Sequence, residues 1–70
     1  AIDFSGLRFE DGSEIVVERD FSDPGFAGQF LRTIAARACQ ELGTTLGPGF
    51  DQPHHDHLHW SIGFPKACIY

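Results

Sequence analysis

The stretch Asp23-Pro-Gly-Phe-Ala-Gly-Gln-Phe-Leu-Arg-Thr-Ile-Ala-Ala-Arg-Ala-Cys-Gln-Glu-Leu-Gly43 decides the fold class. Phe26, Phe30, Ile34, Ala38 and Leu42 recur at steps of four, and Leu31 and Ala35 widen the stripe. That period is one apolar face of a helix. Gln29, Arg32, Arg37, Gln40 and Glu41 fall on the opposite side. Asp23 before Pro24 has the form of a helix start, because a short acidic side chain caps exposed N–H groups and a proline ring suits the first helical position. Gly43 has the form of a helix stop. The spacing predicts a helix over residues 24–42 whose stripe packs on a core.

The flanking segments read as strands. Ile2 to Phe4 is a short β-prone run, and Leu7-Arg8-Phe9 alternates apolar with charged. Asp11-Gly12 is a hairpin turn signal, and Ile15-Val16-Val17 is the returning strand, giving a hairpin over residues 7–18. After the helix, Thr44 to Leu46 fits a short strand, and Gly47-Pro48-Gly49 must be loop. Residues 50–56 read as an ordered loop and His57 to Ile62 as the last strand. The end of the chain, with Pro65, reads as a tail, with Phe64 and Tyr70 as packing residues. Trp60 is expected to be a packing anchor. The expected architecture is α+β: one domain over residues 1–70, a small antiparallel sheet with one main amphipathic helix on one face.

Seventy residues support only a thin core, so a staple, a metal or a partner is expected to assist it. Cys39 and Cys68 fit either one disulfide, tethering the tail to the helix in an oxidising compartment, or two buried free thiols. The net charge of −5 argues against a nucleic-acid partner. No apolar run is long enough for a membrane span, and no signal segment is visible. Ala1-Ile2-Asp3-Phe4 reads as the middle of a strand, which leads us to expect further sequence upstream.

The chemistry concentrates in His54-His-Asp-His-Leu-His59, where all four histidines lie within six residues. On a strand His57 and His59 share one face, while Leu58 and Trp60 take the other. Two imidazoles so placed can approach one cation, and catalytic zinc sites use three protein ligands plus water. An exposed His-rich loop with adventitious metal affinity is the plainer alternative. Neither an HExxH helix motif nor a CxxC pair is present. Asp3, between Ile2 and Phe4, would point away from a core that those two face; a solvated carboxylate is its plainer reading. Arg8 and Arg19 are candidates for holding a substrate carboxylate, with a solvated arginine as the plainer reading.

Cys39-Gln-Glu-Leu-Gly-Thr-Thr-Leu-Gly-Pro-Gly-Phe50 followed by the His54–His59 run resembles the C-terminal domain of bacterial extensin-like proteins. Ala1-Ile-Asp-Phe-Ser-Gly6 before a hairpin resembles an earlier motif of the same domain, so the resemblance spans nearly the whole chain. That domain in turn resembles zinc peptidases, including D-alanyl-D-alanine carboxypeptidases and murein endopeptidases. The resemblance implies a bacterial periplasmic or secreted protein, zinc as cofactor, and peptidoglycan peptide as substrate. In the wider group a His, an Asp and the last His of an H-x-H hold the metal. Asp3 matches the Asp, and His59 matches the last His. His57 matches a histidine that assists the metal-bound water, and His54 matches a further active-site histidine. His55 is expected to have no role. The group's first His would fall upstream of Ala1, so an upstream segment or second chain is expected to supply it, or His57 to replace it. Without that ligand this stretch is expected to bind zinc weakly and not to catalyse.

The implied reaction is metal-assisted hydrolysis with a positioned base. Many relatives use a Glu where this chain has Asp56. Asp56 is shorter and, by strand alternation, turned from His57 and His59. His57 is therefore assigned as base, with Asp56 orienting an imidazole. An ordinary imidazole titrates at about 6.5, which suits a base at neutral pH. The rival readings are a non-catalytic peptidoglycan-binding or envelope module, and a metal-sequestering one.

Overall fold

Strand β5 (Leu58–Ser61) is the element around which the rest is arranged. The computed structural model describes residues 1–62 and 65–70; Phe64, expected to pack, lies outside the described residues. On one side β5 pairs antiparallel with β1 (Ile2–Phe4), in the register Ile2 opposite Trp60, Asp3 opposite His59 and Phe4 opposite Leu58. On the other it pairs antiparallel with β4 (Thr44–Leu46), Thr45 opposite Trp60 and Leu46 opposite His59. A two-residue strand β6 (Cys68–Ile69) lies parallel to β4 at the edge, so the order among the described residues is β1-β5-β4-β6. The tail is thus part of the sheet, contrary to expectation. A parallel partner so far from β4 in sequence leaves no local periodicity to read.

A separate two-stranded ribbon follows β1. β2 (Gly6–Arg8) pairs with β3 (Glu14–Val16) across the predicted turn. Gly12 has φ +91°, a region that L side chains rarely adopt, and its N–H donates to the Phe9 carbonyl at 3.0 Å. The ribbon ends sooner than expected. Val17 opens a single helical turn, α1 (Val17–Asp20), instead of extending the strand. Asp20 stabilises that turn by accepting from the Val16 N–H at 2.9 Å and from Arg19. Arg19 also donates to the Glu14 carbonyl at 2.8 Å. Arg8 pairs with Glu14 at 2.8 Å.

The main helix, α2, runs Phe26–Glu41. Its start is later than Asp23-Pro24 suggested. Asp23 is occupied locally, accepting from the Gly25 N–H at 3.0 Å, so Gly25 is the cap residue and no side chain caps the helix. At the other end Gly43 has φ +123° and its N–H donates to the Ala38 carbonyl at 3.2 Å, as a helix-terminating glycine does. The buried face is rotated from the steps-of-four stripe. Leu31 and Ala35 are fully buried and Ala38 nearly so, whereas Phe26 is 74 % exposed and Leu42 41 % exposed. Leu31, Ala35, Ile15, Val17 and Leu58 form the core, with Phe4, Phe21, Ala27, Phe30, Ile34 and Trp60 packed around it. Arg32, expected on the solvated side, donates instead to the carbonyls of Phe21 at 2.6 Å and Asp23 at 3.0 Å, fastening the connector to the helix.

The architecture is the expected α+β, with α2 against β4 and β5. Strand alternation decides which face each residue takes. Leu58 and Thr45 are fully buried, and Trp60 stacks on Phe4 with ring centres 5.4 Å apart. Asp3, His59 and Leu46 occupy one row across β1, β5 and β4 on the opposite face. A disulfide joins Cys39 of α2 to Cys68 of β6, with Cα atoms 6.0 Å apart, so the free-thiol alternative is excluded. Among the described residues no helix is long and apolar enough to cross a membrane.

Candidate functional site: a histidine and carboxylate cluster

Asp3 and His59 are directly opposed on neighbouring strands, which brings their Cβ atoms to about 5 Å. Their side chains meet: His59 Nδ1 lies 3.0 Å from Asp3 Oδ1. His57 immediately precedes β5, one residue short of the strand expected to begin there, yet its Nε2 still lies 3.9 Å from the same Asp3 oxygen. Leu58 anchors this pair of histidines, because its fully buried side chain pins the backbone between them.

His54 reaches the cluster from the loop. The turn at residues 47–50 closes with Phe50 N–H donating to the Gly47 carbonyl at 2.9 Å. A short 3-10 helix, Gln52–His54, follows, with Asp51 as its capping residue. Asp51 accepts from the backbone N–H of His54 at 3.2 Å and from its ring Nδ1. The ring centre of His54 is 5.1 Å from that of His57 and 5.8 Å from that of His59, with Phe50 edge-on at 5.3 Å. Asp3, His54, His57 and His59 are therefore gathered on one face, and Asp56 joins them through His57, whose Nδ1 lies 2.8 Å from Asp56 Oδ1. That hydrogen bond is the main reason the Asp56 carboxyl is held below the usual carboxylate range.

His55 is not brought into this group. Its Nδ1 faces the Gln52 carbonyl at 2.8 Å and its Nε2 faces Glu18 at 3.2 Å. The Gln52 carbonyl, and then Glu18, push its pKa up. Arg8 and Arg19 are likewise engaged with neighbouring carboxylates, away from the cluster.

Each of the three clustered imidazoles faces a carboxylate: His54 with Asp51, His57 with Asp56 and His59 with Asp3. An ionised carboxylate only accepts hydrogen bonds, so the nitrogen facing it must carry the proton. Asp51 was not singled out from the sequence. Its signal is the pattern of an acidic cap just ahead of a proline at the start of a turn, here Pro53.

The donor types suit zinc, which takes imidazole nitrogen and carboxylate oxygen. Ligand atoms about 2.0–2.1 Å from one tetrahedral zinc are about 3.3 Å apart from each other. The 3.0 Å and 3.9 Å separations from Asp3 to His59 and His57 bracket that edge. As placed, the side chains close on one another by hydrogen bonds. Among the described residues no three His, Cys, Asp or Glu stand in ligating arrangement. A bound ion would require these side chains to part from one another and the His59 Nδ1 proton to be lost.

Shallow apolar grooves lie elsewhere. One of about 340 Å³ runs along α2 past Phe30, Ile34, Arg37 and Leu42, and one of about 280 Å³ is lined by Ala1, Ile2, Leu42, Trp60, Ser61 and Ile62. The histidine cluster lines neither, and sits on the open face of the sheet. No curated protein and no solved structure matches the chain significantly. The family model described as extensin-like protein C-terminus matches residues 1–68. With the motifs of β1, β4 and the histidine run all inside that match, the chain belongs to the extensin-like protein C-terminal family.

Proposed function

We propose that this domain is the metal-binding and base-bearing part of a zinc-dependent peptidase that acts on the D-amino-acid-containing peptide of peptidoglycan. The observation that carries the reading is the convergence of His59 Nδ1 and His57 Nε2 on one carboxylate oxygen of Asp3. Asp3 and His59 would hold the ion, and the third ligand would come from a preceding segment, a second chain or His57. Zinc, when bound, supplies an acidified water and a polarised scissile carbonyl.

The remaining work falls to the side chains. His57, oriented by Asp56 at Nδ1, leaves Nε2 on the Asp3 side to take a proton and return it to the leaving amine. His54 stands against both other rings and would contact the reacting group from the loop side. The open face suits a polymeric substrate, which need not be enclosed as a small ligand is. The disulfide supports an oxidising compartment, in keeping with a periplasmic or secreted protein.

A second reading is a non-catalytic peptidoglycan-binding or envelope module, favoured by the direct closure of Asp3 on His59. Digestion of purified peptidoglycan by the protein that carries this domain separates the two. The peptidase reading expects new peptide ends in the presence of zinc, abolished by chelator and by His57→Ala. Binding to peptidoglycan without any metal-dependent cleavage would leave only the second.

A further inference from the structure

The loop ahead of β5 contains a device that the metal-ligand reading does not use. Asp51 Oδ1 contacts the same residue twice, at the backbone N–H of His54 and at its ring Nδ1. The backbone contact caps the short 3-10 helix. The ring contact has a different consequence, since a carboxylate cannot donate and the Nδ1 facing it must be protonated. We infer that Asp51 is a positioning residue that locks His54 in the Nδ1–H tautomer, so that Nε2 is its accepting nitrogen beside His57 and His59.

Three further observations fix the ring. The His54 side chain is only 18 % exposed. Phe50 meets it edge-on at 5.3 Å, and the other two histidine rings are 5.1 and 5.8 Å away. Pro53 lies within the turn that Asp51 caps, restricting the backbone that carries the ring. The ring is thus held by packing, and the carboxylate selects which nitrogen carries hydrogen. In the peptidase reading, on which only the catalytic consequence rests, His54 then meets the reacting group as a hydrogen-bond acceptor.

Long-range nitrogen-15 correlation spectra of the imidazoles, recorded at about pH 8 where ordinary histidines are neutral, test this directly. Wild type and Asp51→Asn should both show His54 as Nδ1–H, because the amide oxygen still accepts. Asp51→Ser keeps an oxygen able to cap the backbone but too short for the ring, so it separates folding from tautomer. It should shift His54 towards Nε2–H, the form free histidine prefers. An unchanged His54 tautomer in Asp51→Ser, or an Nε2–H form in wild type, overturns the inference. In the protein that carries the domain, Asp51→Ser should lower kcat by about tenfold, less than the roughly 10²–10⁴-fold of losing a general acid–base group outright, with KM unchanged and Asp51→Asn near wild type. If wild type cleaves nothing, the peptidase reading falls while the spectra still decide the role of Asp51.

Discussion

Removing the Cys39–Cys68 bridge by the double substitution Cys39→Ala/Cys68→Ala should cost this small domain a large part of its stability. The bridge closes a sequence separation of 29 residues, and the chain-entropy relation gives about 3.6 kcal/mol for a loop of that size at 25 °C. Native domains hold about 0.05–0.15 kcal/mol per residue, hence about 3.5–10 kcal/mol for seventy residues. At about 4–8 °C per kcal/mol for a domain of this size, the melting temperature should fall by roughly 15–30 °C. Loss should be greatest around β6. Two amides of the β4 segment depend on it: Thr45 N–H donates to Ala67 and Gly47 N–H to Ile69, each at 2.9 Å. Urea unfolding gives the global figure, and amide exchange at Thr45 and Gly47, compared with the β1–β5 ladder, gives the local one. A loss below about 1 kcal/mol, or equal protection loss in both ladders, would refute the view that the bridge holds the edge of the sheet.

Leu58→Ala should destabilise by about 2–5 kcal/mol, the usual cost of emptying a buried leucine site, since Leu58 is fully buried; urea titration measures it, and a loss under about 1 kcal/mol would show that the strand between the two histidines is not anchored as described. Gly28→Ala should also destabilise, by about 1–3 kcal/mol, because a Cβ there would overlap the Asp23 carbonyl. Thermal melts of that variant should show a drop, and an unchanged melt contradicts the close approach of the connector to α2. Asp20 is held below the usual carboxylate value of 3.8 by its hydrogen bond to Arg19 and then by the Val16 N–H. Its contribution is therefore present above about pH 3.9 and lost as pH falls through its folded value. Stability measured from pH 5 to pH 2 should fall less steeply in Asp20→Asn than in wild type, and parallel profiles would remove Asp20 from the account of α1.

The sequence pattern carried the fold where local rules and tertiary packing agree. Asp11-Gly12 marked the hairpin because a positive φ is needed there, and the steps-of-four stripe from Phe26 to Leu42, widened by Leu31 and Ala35, marked a helix against a sheet. The same pattern misplaced the helix face, because Phe26 and Leu42 have the right spacing but lie at the ends, where no sheet covers them. Val17 looked like strand from its β-branched neighbours, but Asp20 closes a turn around the Val16 N–H and outweighs that weak preference. Strand β6 was invisible, since two residues paired to a distant strand and tied by a disulfide leave no period.

Around the site, alternation along β5 placed Leu58 inward and His59 outward, and the short β1 motif brought Asp3 beside it. What alternation cannot supply is the contribution of loops. The fixing of His54 by Asp51 depends on a capped turn rather than on a repeat, and the pairing of His55 with Glu18 depends on how α1 meets the loop. Asp56, outside the strand, escapes the rule that would have turned it away and reaches His57.

Isothermal titration of zinc into the protein, with Asp3→Ala, His59→Ala and His55→Ala in parallel, asks most directly whether the cluster on the open face is one cation site. A weak one-to-one isotherm, kept by His55→Ala and lost in both Asp3→Ala and His59→Ala, is the expected result. Equal zinc binding by all four proteins, or a stoichiometry that follows the number of histidines, would contradict it.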